Sequence, residues 1–119
     1  MKSIFAEMRD WRRDIHKHPE LGFDETRTSD KIAELLGSFG VEVHMGIGGT
    51  GVVGVLKRGT SEKAIGLRAD MDALPIQEMG KHDHKSVNKG VFHGCGHDGH
   101  SAMLLGAAKY LSEKCDFDG

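Results

Sequence analysis

The chain has 119 residues, 38% hydrophobic and 29% charged, with a formal net charge of −2. That length predicts one domain with its own core, and the balance of residue types excludes a disordered or collagen-like chain. Lys and Arg are scattered, which leaves no basic footprint for nucleic acid or an anionic membrane.

Lys2, Glu7, Arg9 and Asp10 interrupt any apolar run at the amino terminus, so no secretory signal is expected there. No stretch approaches the roughly 18 apolar residues of a membrane span. Cys95 and Cys115 could form one disulfide at most. Without an export signal a cytoplasmic location is expected, where thiols stay reduced. Histidine is over-used, at 8 residues, three of them between His93 and His100.

Ile4, Met8, Trp11 and Ile15 recur at helical spacing, which predicts a helix from Ser3 to about His18 with Ser3 as N-cap and Pro19 as stop. A second helix is predicted from about Asp24 to Ser38, burying Ile32, Leu35, Leu36 and Phe39, with Gly40 in the left-handed position after it. Val41, Val43 and Met45 then alternate with polar residues and predict a strand. Gly51 to Lys57 and Lys63 to Ala69 read as two more strands, with Arg58 to Glu62 as their hairpin connection. Ala73 to Gly96 is polar and aperiodic, hence a loop suited to carrying function. A third helix is predicted from near Asp98, with Met103, Leu104, Ala107 and Leu111 inward. Two helices, then strands, a loop and a helix suit an α/β layer fold.

Gly46-x-Gly48-x-x-Gly51 matches the dinucleotide-binding fingerprint, and Asp70 and Asp72 follow at about the spacing of a ribose-binding acid. That fingerprint requires a helix after its last glycine, and here Gly51 opens a run of β-branched residues. The glycines therefore read as a turn between strands.

His93-Gly94-Cys95-Gly96-His97-Asp98-Gly99-His100 packs three imidazoles, a thiol and a carboxylate into eight residues. Such nitrogen, sulfur and oxygen donors suit zinc, manganese or cobalt. The glycines let near neighbours converge, and Cys95 and His97, two apart, can point to one side. A metal dication favours the Cys95 thiolate. The plainer alternative is ordinary packing or surface placement; the C-x-H spacing is not that of a zinc finger, and no second ligand pair is nearby. Asp70 and Asp72 lie together at the end of a predicted strand. They can hold a ligand histidine or polarise a reacting group, or simply form a solvated strand end with Arg68 as partner.

LRADMDALPIQE (Leu67 to Glu78) followed by HGCGHDGHSAMLLGAA (His93 to Ala108) resembles the M20 metallopeptidase family, in its N-acyl-amino-acid amidohydrolase and hippurate hydrolase subgroup. RRDIHKHPELGFDETRTSDKIAELL and GGTGVVGVL resemble it as well, so the likeness covers essentially the whole chain. It implies α/β/α layers with a mixed sheet, as part of a zinc-exopeptidase-like catalytic domain. It also implies two divalent ions, Zn or Mn, per complete site and hydrolysis of the amide bond of N-acyl amino acids. Cys95 and His97 match metal ligands, and Asp72 matches the catalytic aspartate that orients the site. Asp70, Asp98 and His100 are candidate supporting residues behind them. His93 is expected near the site without being a ligand.

The family's Gln-Pro-Ala-Glu-Glu segment, with its general-base glutamate, has no counterpart here, nor do two later ligand histidines or the dimerisation domain. The expectation is that residues 1–119 form an incomplete, inactive part of a catalytic domain whose exposed sheet edge invites self-association. Two alternatives from other classes are a non-catalytic subunit that completes or binds a partner, and a small zinc- or redox-responsive module using Cys95 and Cys115.

Overall fold

Ser3 caps the first helix as expected. In the computed structural model, which describes residues 1–119, α1 spans Ile4–Lys17 and the Ser3 Oγ accepts from the Ala6 amide at 3.2 Å. The α2 helix, Thr26–Ser38, has no capping side chain of its own at Glu25. Glu20 supplies one from upstream: its carboxylate accepts from the Thr28 amide and hydroxyl at 2.7 Å each and from the Arg27 amide at 3.0 Å. Those amides are the unpaired donors of a helix start, so the Glu20 charge also sits at the positive end of the α2 dipole. Arg27 then reaches back to both carboxylate oxygens of Asp14 at 2.8 and 2.9 Å, tying α2 to α1. Gly40 closes α2 with φ +80°, as predicted, and Phe39 packs on Trp11 with ring centroids 5.6 Å apart.

The sheet is one antiparallel hairpin of β1 (Glu42–Ile47) and β2 (Gly51–Val55), registered with His44 opposite Val53. Gly46, Gly48 and Gly49 all have positive φ in or beside its turn, which confirms that the glycine-rich segment is a turn and not a dinucleotide loop.

The predicted hairpin between Gly51–Lys57 and Lys63–Ala69 does not form. Its connection is engaged elsewhere: the Thr60 and Ser61 amides donate to Asp118 Oδ1 at 2.7 and 2.8 Å. Arg58 and Gly119 exchange two backbone bonds at 2.8 and 2.9 Å. Residues 63–69 consequently belong to no strand, and Ile65 and Leu67 remain exposed. Residues 73–96 contain no helix and no strand longer than a bridge, in line with the expected loop. Two isolated bridges organise them, Leu21 with Ala73 in parallel and Leu74 with Phe92 antiparallel. The fold is α/β, with both pairing senses present on a small scale.

The last helix, α3, is His97–Lys114 and lies against α1. Its buried face is Asp98, Ser101, Ala102, Leu105 and Gly106, one residue round from the predicted stripe; Met103 is exposed. Apolar residues surround this helix, so periodicity selects no face. Small residues do: a Cβ at Gly106 would overlap the Met8 thioether of α1, which packs over that glycine. Arg12 Nε and His16 Nδ1 of α1 both donate to Asp98 Oδ2 at 2.8 Å, and Lys109 of α3 pairs with Glu7 at 2.6 Å. The fully buried apolar core is small, comprising Ile15, Val41, Ala73, Ala102 and Leu105. The molecule is a slab of 49 × 35 × 19 Å, with a radius of gyration of 15.1 Å. A compact chain of this length would measure about 13.5 Å. Polar side chains are buried beside that small apolar core, His16, Glu78, Asp98 and Ser101 among them.

Candidate metal centre

Asp70 and Asp72 end the extended stretch, and His97 and His100 occupy the first turn of α3, three residues apart and so on one helix face. His97 Nδ1 lies 2.8 Å from Asp72 Oδ1 and 3.0 Å from the Asp72 carbonyl oxygen. Both are acceptors when Asp72 is ionised, so Nδ1 carries a proton. The ring's Nε2 faces Asp70, whose Oδ2 is 3.4 Å away. Asp70 Oδ1 is 2.7 Å from His100 Nδ1, and the Ser101 hydroxyl donates to the Asp70 carbonyl at 2.9 Å. The two imidazoles stack with centroids 5.5 Å apart.

Asp70, His97 and His100 each offer a donor atom, and these atoms lie within 4.8 Å of one another. The His100 hydrogen bond outweighs the opposing effect of burial and holds the Asp70 carboxyl below its usual range. Arg68, at 3.8 Å from Asp70 and largely exposed, is only a peripheral partner. A half-exposed carboxylate between two imidazoles, one of them locked by a second carboxylate, suits a borderline divalent ion.

The expected site residues divide into two sets. Asp72, Asp70, His97 and His100 converge here. Cys95 is exposed with a free thiol and is not part of that converging donor group; Cys115 is also free, so no disulfide joins them. Asp98 turns away from this centre, to Arg12 and His16. His93 is 4% exposed with neither ring nitrogen hydrogen-bonded, and burial, the largest influence on it, favours its neutral form.

Sequence reasoning missed a second polar group, made of the buried His16 and Glu78 with the exposed His82. One signal was available: Arg12 and His16 are four apart on α1, flanking the apolar pair Trp11 and Ile15.

Residues 66–118 match the sequence model of Peptidase family M20/M25/M40. Over 108 residues, covering 91% of this chain and 28% of the relative, the chain is 57% identical to a hippurate hydrolase of Campylobacter jejuni. It is 46% identical to an N-acyl-L-amino acid amidohydrolase of Geobacillus stearothermophilus, over 89% of this chain and 29% of that one. The crystal structure of the Bacillus subtilis YXEP protein, described as a dinuclear metal binding peptidase from M20 family, superposes with a TM-score of 0.88 at 38% identity. That superposition covers 93% of this chain and 31% of the other. The chain thus spans about three-tenths of the length of the relatives it matches.

Proposed function

The chain belongs to peptidase family M20/M25/M40, and on that premise we propose that it carries part of the metal centre of an amidohydrolase acting on N-acyl amino acids. The observation that supports this most directly is the Asp72–His97 contact of 2.8 Å with Asp70 and His100 converging on the same point. A carboxylate on the far nitrogen of an imidazole is the usual way to fix and strengthen a metal-ligating histidine.

In this reading His97 is a ligand through Nε2, and Asp72 fixes its tautomer and ring orientation. Cys95, two residues before His97 and free, joins the ligand set as a thiolate. Asp70 and His100 are close enough to contribute or to hold that set in place. A divalent ion, zinc or manganese, supplies Lewis acidity for amide hydrolysis when bound. The carboxylate that would take the proton from the attacking water is not identified among these residues. Residues 1–119 are accordingly proposed to be an incomplete catalytic domain that binds metal without turnover by itself. Two free cysteines fit a reducing, cytoplasmic setting, and no helix is long and apolar enough to cross a membrane.

The test is metal binding together with hydrolysis of a panel of N-acyl amino acids, N-benzoylglycine first. Zinc or manganese uptake that falls in His97→Ala and Cys95→Ser, with negligible hydrolysis by the chain alone, supports the proposal. Uptake unchanged in both variants overturns the assignment of the centre; turnover lost in Cys95→Ser overturns its incompleteness. Exposed Ile65 and Leu67, in a stretch that belongs to no strand, support self-association through residues 63–69. A clean monomer by light scattering at high concentration would remove that part of the proposal.

A further inference from the structure

The buried polar contact between α1 and α3 continues into a second group of donor atoms. His16 and Glu78 have side chains only 4% and 3% exposed, in a chain with few buried apolar residues. His16 Nδ1 donates to Asp98 Oδ2, which also accepts from Arg12, so an ionised Asp98 fixes the proton on Nδ1. The other ring nitrogen, Nε2, faces the Glu78 carboxylate, with Oε2 at 3.1 Å and Oε1 at 3.2 Å. A buried imidazole nitrogen and a carboxylate this close share one positive charge, carried by a proton on Nε2 or by a cation in its place. The Glu78 Oε2 is also approached by His82 Nε2 at 2.7 Å. His82 is 41% exposed and stacks on His84 at 4.1 Å, giving the group a route to solvent lined by imidazoles.

The spacing fits a small dication. In tetrahedral zinc coordination, ligand atoms about 2.0–2.1 Å from the ion are about 3.3 Å apart. The His16–Glu78 and His82–Glu78 separations of 3.1 and 2.7 Å would have to open by about 0.2 and about 0.6 Å. The surroundings contribute a second, independent sign. His93, whose ring centroid is 6.4 Å from that of His16, is buried with neither ring nitrogen partnered in the protein. A buried polar group left so by the chain marks a place where something other than protein completes the bonding.

We propose that His16, Glu78 and His82 form a second divalent-cation site, of zinc type, with Asp98 as the carboxylate that orients His16. Two imidazoles and one carboxylate give three protein ligands and leave one position open to solvent beside His82. The site is distinct from the centre at His97, because it draws on α1 and the loop after Leu74 and not on Asp70, Asp72 or His100. It does not depend on the amidohydrolase reading.

The experiment is a cobalt(II) titration of the chelator-treated 119-residue chain, followed by visible absorption, with zinc as competitor. His97→Ala, His82→Ala and Glu78→Gln are compared with the parent, and far-ultraviolet circular dichroism verifies each fold. The expected result is that His97→Ala still binds one equivalent of cobalt that zinc displaces. In the parent, that same class of site is weakened tenfold or more by His82→Ala, a partly exposed position whose loss leaves the core intact. If folded His97→Ala takes up no cobalt, the proposal fails. It fails equally if His82→Ala binds every equivalent as tightly as the parent.

Discussion

His97 and Asp98 are neighbours in the chain but turn to different partners at the start of α3: His97 Nδ1 is 2.8 Å from Asp72, and Asp98 Oδ2 is 2.8 Å from His16. One helical turn therefore serves two polar clusters. The first lies at the half-exposed end of the 63–72 stretch, the second in the buried contact of α1 with α3. Because both are anchored on consecutive residues of one rigid helix, any tilt of α3 would disturb both together.

Asp72→Asn is expected to weaken metal binding at the His97 centre ten- to a hundredfold without unfolding the chain. The amide can still accept the Nδ1 proton, but the charge that raises ligand basicity is gone. Competition against a chromophoric chelator measures the change. Affinity equal to the parent's would show that His97 is not a ligand through Nε2.

Two glycines make a contrasting pair. A Cβ at Gly51 would run into the backbone carbonyl oxygen of Ile47, its partner across the hairpin, and backbone there cannot yield. Gly51→Ala is expected to destabilise by about 1–3 kcal/mol. At Gly106 the obstruction is the thioether end of Met8, which can rotate away. Helix propensity favours alanine by about 1 kcal/mol, so Gly106→Ala should be close to neutral. Urea denaturation of both variants checks the ranking, and equal costs would refute it.

What the sequence disclosed followed from local physics. Ser3, Pro19 and Gly40 each act on their immediate neighbours, so the bounds of α1 and α2 were legible. The hairpin was mispaired because the choice between Val43–Met45 and Lys63–Ala69 as partner for β2 depends on where Asp118 and Gly119 lie, more than fifty residues away. The inward face of α3 was misplaced because Met103, Leu104, Leu105 and Leu111 surround it, and the small residues Ala102 and Gly106 decide the contact. Motif chemistry singled out Cys95, His97 and Asp72, with Asp70, Asp98 and His100 as candidate supports; the structure gathers Asp70, Asp72, His97 and His100 and leaves Cys95 and Asp98 outside that group. His16 with Glu78 was not legible, since the two are 62 residues apart and neither stands in a recognisable metal spacing.

Glu20 makes the stability of α2 dependent on acid. Burial tends to raise its carboxyl, but the Thr28 hydroxyl and the Thr28 and Arg27 amides outweigh burial and hold it below 4.5. A carboxyl depressed in the folded state contributes stability above its unfolded value, and loses it as pH falls through the folded one. Glu20→Gln should therefore cost about 0.5–2 kcal/mol near neutral pH, as for the loss of a helix cap, and progressively less below pH 4.5. Thermal unfolding of parent and variant from neutral pH into acid measures the gap. A gap that stays constant would mean the charge is not what caps the helix.

Asp98 offers the most direct measure of how far polar contacts replace the sparse apolar core. It is 1% exposed, and its single oxygen Oδ2 receives both Arg12 Nε and His16 Nδ1. Burial alone would raise its carboxyl, but the His16 hydrogen bond and the Arg12 charge outweigh it and keep the group ionised. Asp98→Ala leaves His16 buried with a donor and no acceptor, and strips Arg12 of its counter-charge. Breaking a buried pair in this way is expected to cost about 3–5 kcal/mol. Asp98→Asn can place its carbonyl oxygen where Oδ2 lies and keep both contacts, so its loss should be smaller, about 1–3 kcal/mol. Urea titrations followed by circular dichroism give both values. An Asp98→Ala variant as stable as the parent would show that the α1–α3 contact rests on Leu105, Ala102 and Ile15 alone, and that the Arg12–Asp98–His16 group serves only the cation site proposed beside it.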